Sequence, residues 1–335
     1  MNTVRDRPSI TDVAAHAGVS IKTVSRVVNA EASVLPATRA RVDLSISELG
    51  YVPNSSARTL KSGVGDAVGV VIDTIADPFF AALVSVIETR ALAEDMGVLF
   101  ASTGFDEGRE RDQLLRLAGQ QVRGIILAPV AQDHGYLERY RASTPIVMVD
   151  RPRDTFDSVV VDDIRATRAA IDQFVRLGHT RIAFIGFDAR FSTTTHRYEG
   201  YRQALAEHGI PLDHTLAPQA AAEVTDAKVA TLGLFGLASP PTAIFAANPR
   251  AGIGVVDALH TTGHTGVAVI SFGDFAFASV IRPAVSYIDQ DPFHIGNAAI
   301  ERLITLINEP GTQRKRIVLD TNLVARGSGE IRATA

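Results

Sequence analysis

The chain has 335 residues, with 33 Lys and Arg, 37 Asp and Glu, and 46% hydrophobic residues, the composition of a folded protein with more than one domain. It contains no cysteine, which excludes a disulfide framework, a thiolate metal site and a cysteine nucleophile. Residues 1–8 lack the apolar segment of a secretory signal, and the longest apolar runs fall well short of the roughly 18 residues of a membrane span. We therefore expect a cytoplasmic protein with no membrane contact.

Charge is unevenly distributed along the chain. Residues 1–62 carry eight basic and five acidic side chains, although the whole chain has a net charge of -4. A small basic segment on a larger acidic body indicates that the N-terminal part meets a polyanion such as nucleic acid.

The first 50 residues predict three short helices. Apolar residues recur at helical spacing over residues 10–17, Gly18 interrupts the pattern, and Ser20 is a suitable N-cap for a second helix over residues 21–29. A third helix is expected from Pro36 until Gly50.

From residue 66 onward, short β-branched runs alternate with helical stretches, which predicts a parallel sheet wrapped by helices. The predicted strands are Val68–Ile72, Val98–Ser102, Gly124–Ala128, Ile146–Asp150, Val159–Asp162, Ile182–Gly186, Ala243–Ala246 and Val267–Ser271. The predicted helices are Phe80–Glu94, Glu107–Gly119, Ile164–Leu177, Tyr198–Glu207, Gly252–Leu259 and Phe293–Ile307. The pattern fits one large sheet or two smaller ones, and periodicity does not decide between them.

The strongest motif is ITDVAAHAGVSIKTVSRVVN, over residues 10–29. Its spacing is that of a helix-turn-helix, because Ala14 lets two helices cross closely and Gly18 takes the tight turn. With the valines of the second helix facing inward, the opposite face carries groups that fit the major groove of DNA. The residues of that face are Ile21, Lys22, Ser25, Arg26 and Asn29, with Ser20 and Thr23 at the helix N-terminus placed to hold phosphate oxygens. A three-helix bundle with a solvated polar face is the alternative.

This motif, followed by residues 48–54 and 57–60, resembles the LacI/GalR family of ligand-responsive transcriptional regulators, and the resemblance covers nearly the whole chain. It implies a small all-α helix-turn-helix head plus an α/β periplasmic-binding-protein-like body of two Rossmann-like subdomains with parallel sheets. It also implies a homodimer that binds a pseudo-palindromic operator in double-stranded DNA, and a body that senses a small-molecule effector.

The resemblance sets the expected domain boundaries. They are 1–50 for the helix-turn-helix DNA-binding domain, 51–65 for a hinge helix and linker, and 66–335 for the effector-binding domain. Within the last, the N-subdomain is expected at about 66–161 and 292–325, and the C-subdomain at about 162–291.

The family pattern assigns further DNA contacts. Ile21 and Lys22 correspond to variable base contacts, Arg26 to another, and Asn29 and Tyr51 to phosphate contacts. The hinge from Asn54 to Leu60 is too short to be a stable helix alone, so we expect it to order on DNA, with Leu60 inserted between base steps. A flexible tether with an incidental leucine is the alternative.

Polar and aromatic residues follow the predicted strands of the body, where the family binds its effector. Aromatic residues packed in the core and a plain surface ion pair are the alternative explanations for two of these segments, residues 77–80 and 150–151. The candidate effector-binding residues are Asp77, Phe79, Phe80, Asp150, Arg151, Arg197, Asn248, Asp274 and Gln290.

The sequence departs from the family pattern at two of these segments. Pro249 follows Asn248 where Asp is usual, and Gly273 stands where sugar-responsive relatives have an Asp that contacts the ligand. Either Asp274 takes over that contact or the contact is absent.

Other function classes lack their motifs. No glycine-rich phosphate loop follows a strand, and neither a nucleophile elbow nor a zinc-protease motif is present, so we expect no enzyme, catalytic residue, metal or cofactor. A sugar-binding transport protein would not carry the basic head. We expect a repressor released by a sugar-like effector; a nucleoside as ligand and corepression are the alternatives.

Overall fold

The computed structural model describes residues 8–29, 31–52, 65–138, 140, 143–186, 188–219 and 223–333. The chain divides into two units, Met1–Gly65 and Asp66–Ala335. The predicted hinge residues Asn54 and Leu60 lie outside the described residues.

The first unit contains the three predicted helices. These are α1 (Ile10–Ala17), α2 (Ile21–Val28) and α3 (Pro36–Leu49). A capping box of Ser9 and Asp12 begins α1, and Gly18 ends it in the left-handed conformation at φ 62°. Val13, Val24 and other small apolar side chains fill the core between the helices, so one face of α2 is committed to packing.

The second unit is built from helices and strands in alternation. Its helices are α4 (Pro78–Ala93), α5 (Glu107–Gly119), α6 (Asp163–Arg176), α7 (Ser192–Glu207), α8 (Val224–Leu234), α9 (Pro249–Thr262) and α10 (Pro292–Asn308). Its strands are β1 (Ala67–Ile72), β2 (Gly97–Ser102), β3 (Ile125–Leu127), β4 (Ile146–Val149), β5 (Asp157–Val161), β6 (Ile182–Ile185), β7 (Ala243–Ala246), β8 (Ala268–Phe272), β9 (Ser286–Asp289), β10 (Arg316–Leu319) and β11 (Asn322–Val324).

The strands form two sheets, which answers the question that periodicity left open. The first has the order β10-β5-β4-β3-β1-β2, with parallel pairing throughout. The second has the order β11-β9-β8-β7-β6, parallel except for β11, which runs antiparallel to β9. Helices cover both faces of each sheet: α4 and α10 oppose α5 on the first, and α6 and α7 oppose α8 and α9 on the second. This is the doubly wound arrangement expected for each subdomain.

The C-terminal strands correct the expected subdomain limits. The expectation assigned residues 292–325 to the first subdomain, but β11 pairs with β9 in the second sheet. The chain therefore leaves the first sheet after β10. The sequence did not predict strands β9, β10 and β11 or helix α8. Of these, β10 and β11 are short, partly exposed edge strands, which lack the continuous apolar run of a buried parallel strand.

A close helix crossing positions one wall of the site described below. A Cβ atom on Gly200 of α7 would lie 2.6 Å from the Ile164 backbone oxygen and 3.1 Å from the Thr167 Cβ atom of α6. Only glycine therefore allows α7 to approach α6 this closely, and α7 carries Arg197 one turn before the crossing.

We expect Gly200→Ala to lower the free energy of unfolding by about 1–3 kcal/mol, because the added methyl group forces the two helices apart. The control is Gly233→Ala in α8, where no atom lies within 4 Å of the added Cβ and alanine has the higher helix propensity. Urea denaturation of the full chain, followed by circular dichroism, measures both. Equal losses in the two variants would contradict the close crossing.

Candidate functional site

Polar and aromatic side chains from both sheets line one cleft in the second unit. They lie in segments that follow the carboxyl ends of parallel strands, where ligands bind in open α/β sheets. The cleft is partly open to solvent. Its lining residues are Asp73, Asp77, Phe79, Phe80, Phe105, Asp150, Arg151, Phe191, Thr193, Thr194, Arg197, Asn248, Pro249, Arg250 and Gln290.

Every predicted effector residue except Asp274 is among these lining residues. The Asp274 carboxylate instead accepts two hydrogen bonds from Arg326, each of 2.7 Å, and faces a second cavity. The structure therefore does not make Asp274 a substitute for the contact that is missing at Gly273. Effector binding by the other predicted residues stays a prediction.

A buried ion pair lies at the first-sheet side of the cleft. Arg151 donates a hydrogen bond to Asp73, and its Nε atom lies 3.1 Å from the Asp150 Oδ2 atom. Both Asp73 and Arg151 are almost fully buried, and the Asp73 Oδ1 atom has no hydrogen-bond partner in the described part of the chain. Burial raises the pKa of Asp73 to about 6 despite the attraction of Arg151. Asp73 was not predicted, although it directly follows β1.

Arg197 links three strand ends. Its Nε atom donates to the Asp163 carboxylate and its Nη1 atom to the Ala247 backbone oxygen, each at 2.7 Å. The guanidinium carbon lies 3.6 Å from the ring centre of Phe272, a cation–π contact. The remaining nitrogen, Nη2, is 4.0 Å from the Asp150 Oδ1 atom. Sequence reasoning predicted Arg197 as an effector contact, whereas the structure uses most of its hydrogen-bonding capacity internally.

Aromatic side chains meet across the cleft. Phe105, after β2, and Phe191, at the start of α7, pack edge-to-face with ring centres 5.6 Å apart, and the Arg151 guanidinium lies 4.9 Å from the Phe191 ring centre. Phe105 and Arg151 follow strands of the first sheet, whereas Phe191 follows β6 of the second sheet. The contacts therefore cross the cleft. Neither phenylalanine was predicted, because sequence spacing does not show which loops face each other, although each follows a strand by a few residues.

Pro249 and Gly273, the two positions at which the sequence departs from the family pattern, lie next to each other. A Cβ atom on Gly273, whose φ is +93°, would lie 2.9 Å from the Pro249 Cγ atom and 3.1 Å from the Gln290 Nε2 atom. Pro249 and Gln290 thus occupy the space that a side chain at position 273 would need. The preceding Asn248 caps α9 by accepting a hydrogen bond from the Ala251 amide at 2.8 Å.

Asp77 combines a structural role with an unfavourable environment. It caps α4 by accepting a 2.9 Å hydrogen bond from the Phe79 amide. Burial nevertheless raises the pKa of Asp77 to about 6, more than that hydrogen bond lowers it. The ionised carboxylate is therefore kept in the cleft at a cost to stability at neutral pH.

The outward face of α2 is the second candidate site. Val24 and Val27 are buried, while Ile21, Lys22, Arg26 and Asn29 are exposed and Ser25 and Thr23 half-buried. Ser20 caps α2 by accepting from the Thr23 amide at 3.1 Å. Tyr51, the last of the predicted phosphate contacts that the structure describes, packs against the core of the three helices.

Within the described residues, no His, Cys, Asp and Glu side chains cluster in threes or more to hold a metal ion. No helix in the same part of the chain is long and apolar enough to cross a membrane.

Residues 9–54 match the family described as bacterial regulatory proteins, lacI family, and residues 171–329 match the periplasmic binding protein-like domain. The HTH-type transcriptional regulator CelR of Thermobifida fusca is 33% identical over 97% of this chain and 99% of its own length. This chain belongs to the lacI family. As predicted, it is a DNA-binding transcriptional regulator and not an enzyme.

Other lacI-family proteins also match this chain over nearly its full length. The ribose operon repressor of Escherichia coli strain K12 is 31% identical, with coverage of 95% of this chain and 98% of its own. A crystal structure of the lac repressor dimer bound to operator and an anti-inducer has a TM-score of 0.86 at 25% identity, over 97% of this chain and 99% of that one. A structure of a CelR–cellobiose complex has a TM-score of 0.70 at 30% identity, over 96% and 100%.

We expect Asp77→Asn to stabilise the protein at pH 7.5. Asparagine keeps the helix cap but carries no charge. Because the pKa of Asp77 rises from 3.8 to about 6 on folding, the native state binds more protons than the unfolded state between these values, and stability falls as the pH rises through them. The gain of the variant should therefore be larger at pH 7.5 than at pH 4.5, as measured by urea denaturation at both values. A variant that is less stable at pH 7.5 would show that the cleft stabilises this charge.

Proposed function

We propose that this protein is a cytoplasmic homodimeric repressor that binds a pseudo-palindromic operator through α2 and leaves it when a small sugar-like effector binds in the cleft. The observation that carries the proposal is the convergence of the predicted effector residues from both sheets on one cleft. The names of the relatives support it, since one solved relative is a cellobiose complex and another relative is the ribose operon repressor.

The exposed face of α2 suits a base-reading helix. Its buried valines fix the orientation of the helix, so Ile21, Lys22 and Arg26 project away from the core. Lysine and arginine reach guanine acceptors in the major groove, and an aliphatic tip contacts a thymine methyl group. Ser20 and Thr23 at the helix N-terminus are placed for phosphate oxygens. In a dimer the two copies of this helix would contact half-sites about one helical turn apart.

The charges of the cleft favour a neutral effector. Each guanidinium group there is already paired with a carboxylate: Arg151 with Asp73, Arg197 with Asp163, and Arg250 with Glu223. No cation of the cleft lining is left uncompensated for an anionic ligand, whereas Asp77 and Asp150 offer acceptors and the phenylalanine rings offer apolar faces. Hydroxyl groups on a ring with one apolar face, as in a sugar, match this lining.

The cleft also provides the route for coupling. Direct contacts across it include the hydrogen bond from Gln132 to the Arg190 backbone oxygen at 3.0 Å, the packing of Phe105 and of the Arg151 guanidinium on Phe191, and the approach of Arg197 to Asp150. An effector that inserts among these groups changes the relative orientation of the two sheets. In the proposed mechanism this reorientation changes the spacing of the two DNA-binding heads in the dimer.

Selection of genomic DNA fragments by the purified full-length protein tests the proposal. We expect enrichment of a pseudo-palindrome, and release of the enriched fragments by one member of a panel of sugars and nucleosides. Enrichment that appears only in the presence of a small molecule would show a corepressor instead. The absence of any enrichment with the whole panel would contradict operator binding.

We expect Lys22→Ala to weaken binding to the selected operator by about 10- to 100-fold, which corresponds to the loss of one good base contact of about 1–3 kcal/mol. Its effect on non-specific DNA should be several-fold smaller, as measured by fluorescence anisotropy at one fixed salt concentration. Arg41→Ala is the matched control, since it removes one positive charge from the exposed surface of α3. Equal losses with the two variants would show that Lys22 contributes only charge.

A further inference from the structure

A loop of the first sheet reaches across the cleft at its rim. Residues 128–134 follow β3, and the Gln132 side chain donates a 3.0 Å hydrogen bond to the backbone oxygen of Arg190, in the segment between β6 and α7. Both residues are exposed, and neither is among the lining residues of the cleft. The bond therefore joins the two rims without occupying the space that an effector would use.

A buried carboxylate fixes this loop to the first sheet. Glu110 of α5 is fully buried, and its Oε2 atom accepts hydrogen bonds from the Val130 and Ala131 amides. Its Oε1 atom lies 2.7 Å from the His134 Nε2 atom. One side chain thus holds both ends of the segment 130–134. Because a buried charge is costly without such partners, the fold strongly favours this position of the loop.

Further hydrogen bonds support both rims. Arg153, after β4, donates to the Ala131 backbone oxygen from Nε at 3.2 Å and from Nη2 at 2.6 Å. On the opposite rim, Asp188 accepts from the Arg190 amide at 3.0 Å and from its guanidinium at 2.7 Å. The donor Gln132 and its acceptor therefore both stand on supported backbone.

The hydrogen bond across the rim distinguishes two orientations of the sheets. It can form only while the rims are close, because hydrogen bonds weaken steeply beyond their normal length. An exposed hydrogen bond contributes little to the stability of the fold. Its full free energy nevertheless enters the balance between an orientation that makes the bond and one that does not.

We propose that Gln132 and its anchor form a latch, which favours the narrow-cleft orientation that holds the effector over the orientation that binds the operator. Glu110 and His134 are positioning residues, since neither lines the cleft and both act by holding Gln132 at the rim. This inference rests on the proposed two-orientation mechanism and names a contact that regulates it whichever sugar binds.

Cross-linking of the two rims tests the latch. The chain contains no cysteine, so a short bis-maleimide joins only the two positions changed in the double variant Gln132→Cys, Arg190→Cys. An unchanged chain mass in denaturing electrophoresis confirms a link within one chain. We expect the linked protein to bind the selected operator about 5- to 150-fold more weakly, because the link removes the operator-binding orientation. The control is the same protein capped with N-ethylmaleimide, which occupies both thiols without joining them.

Each outcome of this comparison is decisive. Equal operator affinity of the linked and the capped protein would overturn the latch while leaving operator binding intact. Tighter binding by the linked protein would also overturn it, since the narrow cleft would then belong to the operator-binding orientation. No operator binding by the unsubstituted chain would overturn the proposed function and this inference together.

The rate of the same cross-linking reaction tests the anchor. His134→Ala, added to the double variant, should slow the reaction about 2- to 10-fold, the range expected for the loss of one hydrogen bond. His134→Gln, which keeps a donor for Glu110, should slow it less. Ile87→Ala is the destabilising control, because Ile87 is buried in the cluster of α4 on the opposite face of the sheet. An unchanged rate with His134→Ala, or equal slowing by Ile87→Ala, would overturn the positioning role.

Discussion

The buried guanidinium of Arg197 is the interaction on which the rest of the cleft depends. A charge in this position is costly unless it is paired and hydrogen-bonded, and here Asp163 and the Ala247 backbone oxygen satisfy it. These partners belong to the start of α6 and the end of β7, so one side chain fixes the positions of separate strand ends. The close crossing at Gly200 allows α7 to bring Arg197 to that point. Removing this arginine would leave Asp163 buried and unpaired, and would disturb the cleft as well as any ligand contact.

The same pairing of buried charges decides what the cleft can bind. Arginines commonly indicate anionic ligands, but those lining this cleft are compensated by carboxylates of the protein. The carboxylates of Asp77 and Asp150 remain available as hydrogen-bond acceptors, and the phenylalanine rings offer apolar faces. This combination suits a sugar, whose hydroxyl groups can donate hydrogen bonds while one face of its ring packs on an aromatic side chain. In the proposed mechanism, a ligand that binds one orientation of the two sheets more tightly than the other shifts the protein toward that orientation. In this mechanism, recognition and switching therefore use the same cleft residues.

Much of the fold could be predicted from the sequence, because buried parallel strands such as β1 are continuous apolar runs and the helices between them carry clear signals. The exposed edge strands β10 and β11 lack such runs, and the pairing of β11 with β9 depends on tertiary packing. Most of the predicted cleft residues lie just after strands, whose ends the apolar runs locate, but Asp73, which directly follows β1, was not predicted. The pairing of Asp274 with Arg326, 52 residues away in the sequence, has no local signal, and Phe191 was missed because no local pattern shows what a loop faces across a cleft.

The central claim is that one effector and the operator compete through two orientations of the same body. The most direct measurement is the affinity of the effector sugar for the free protein and for the protein–operator complex, together with operator affinity with and without a saturating amount of that sugar. Because linkage is reciprocal, the account predicts that the sugar binds more weakly to the operator complex, by the same factor by which it weakens operator binding. Equal sugar affinity for the free and the operator-bound protein would contradict the account.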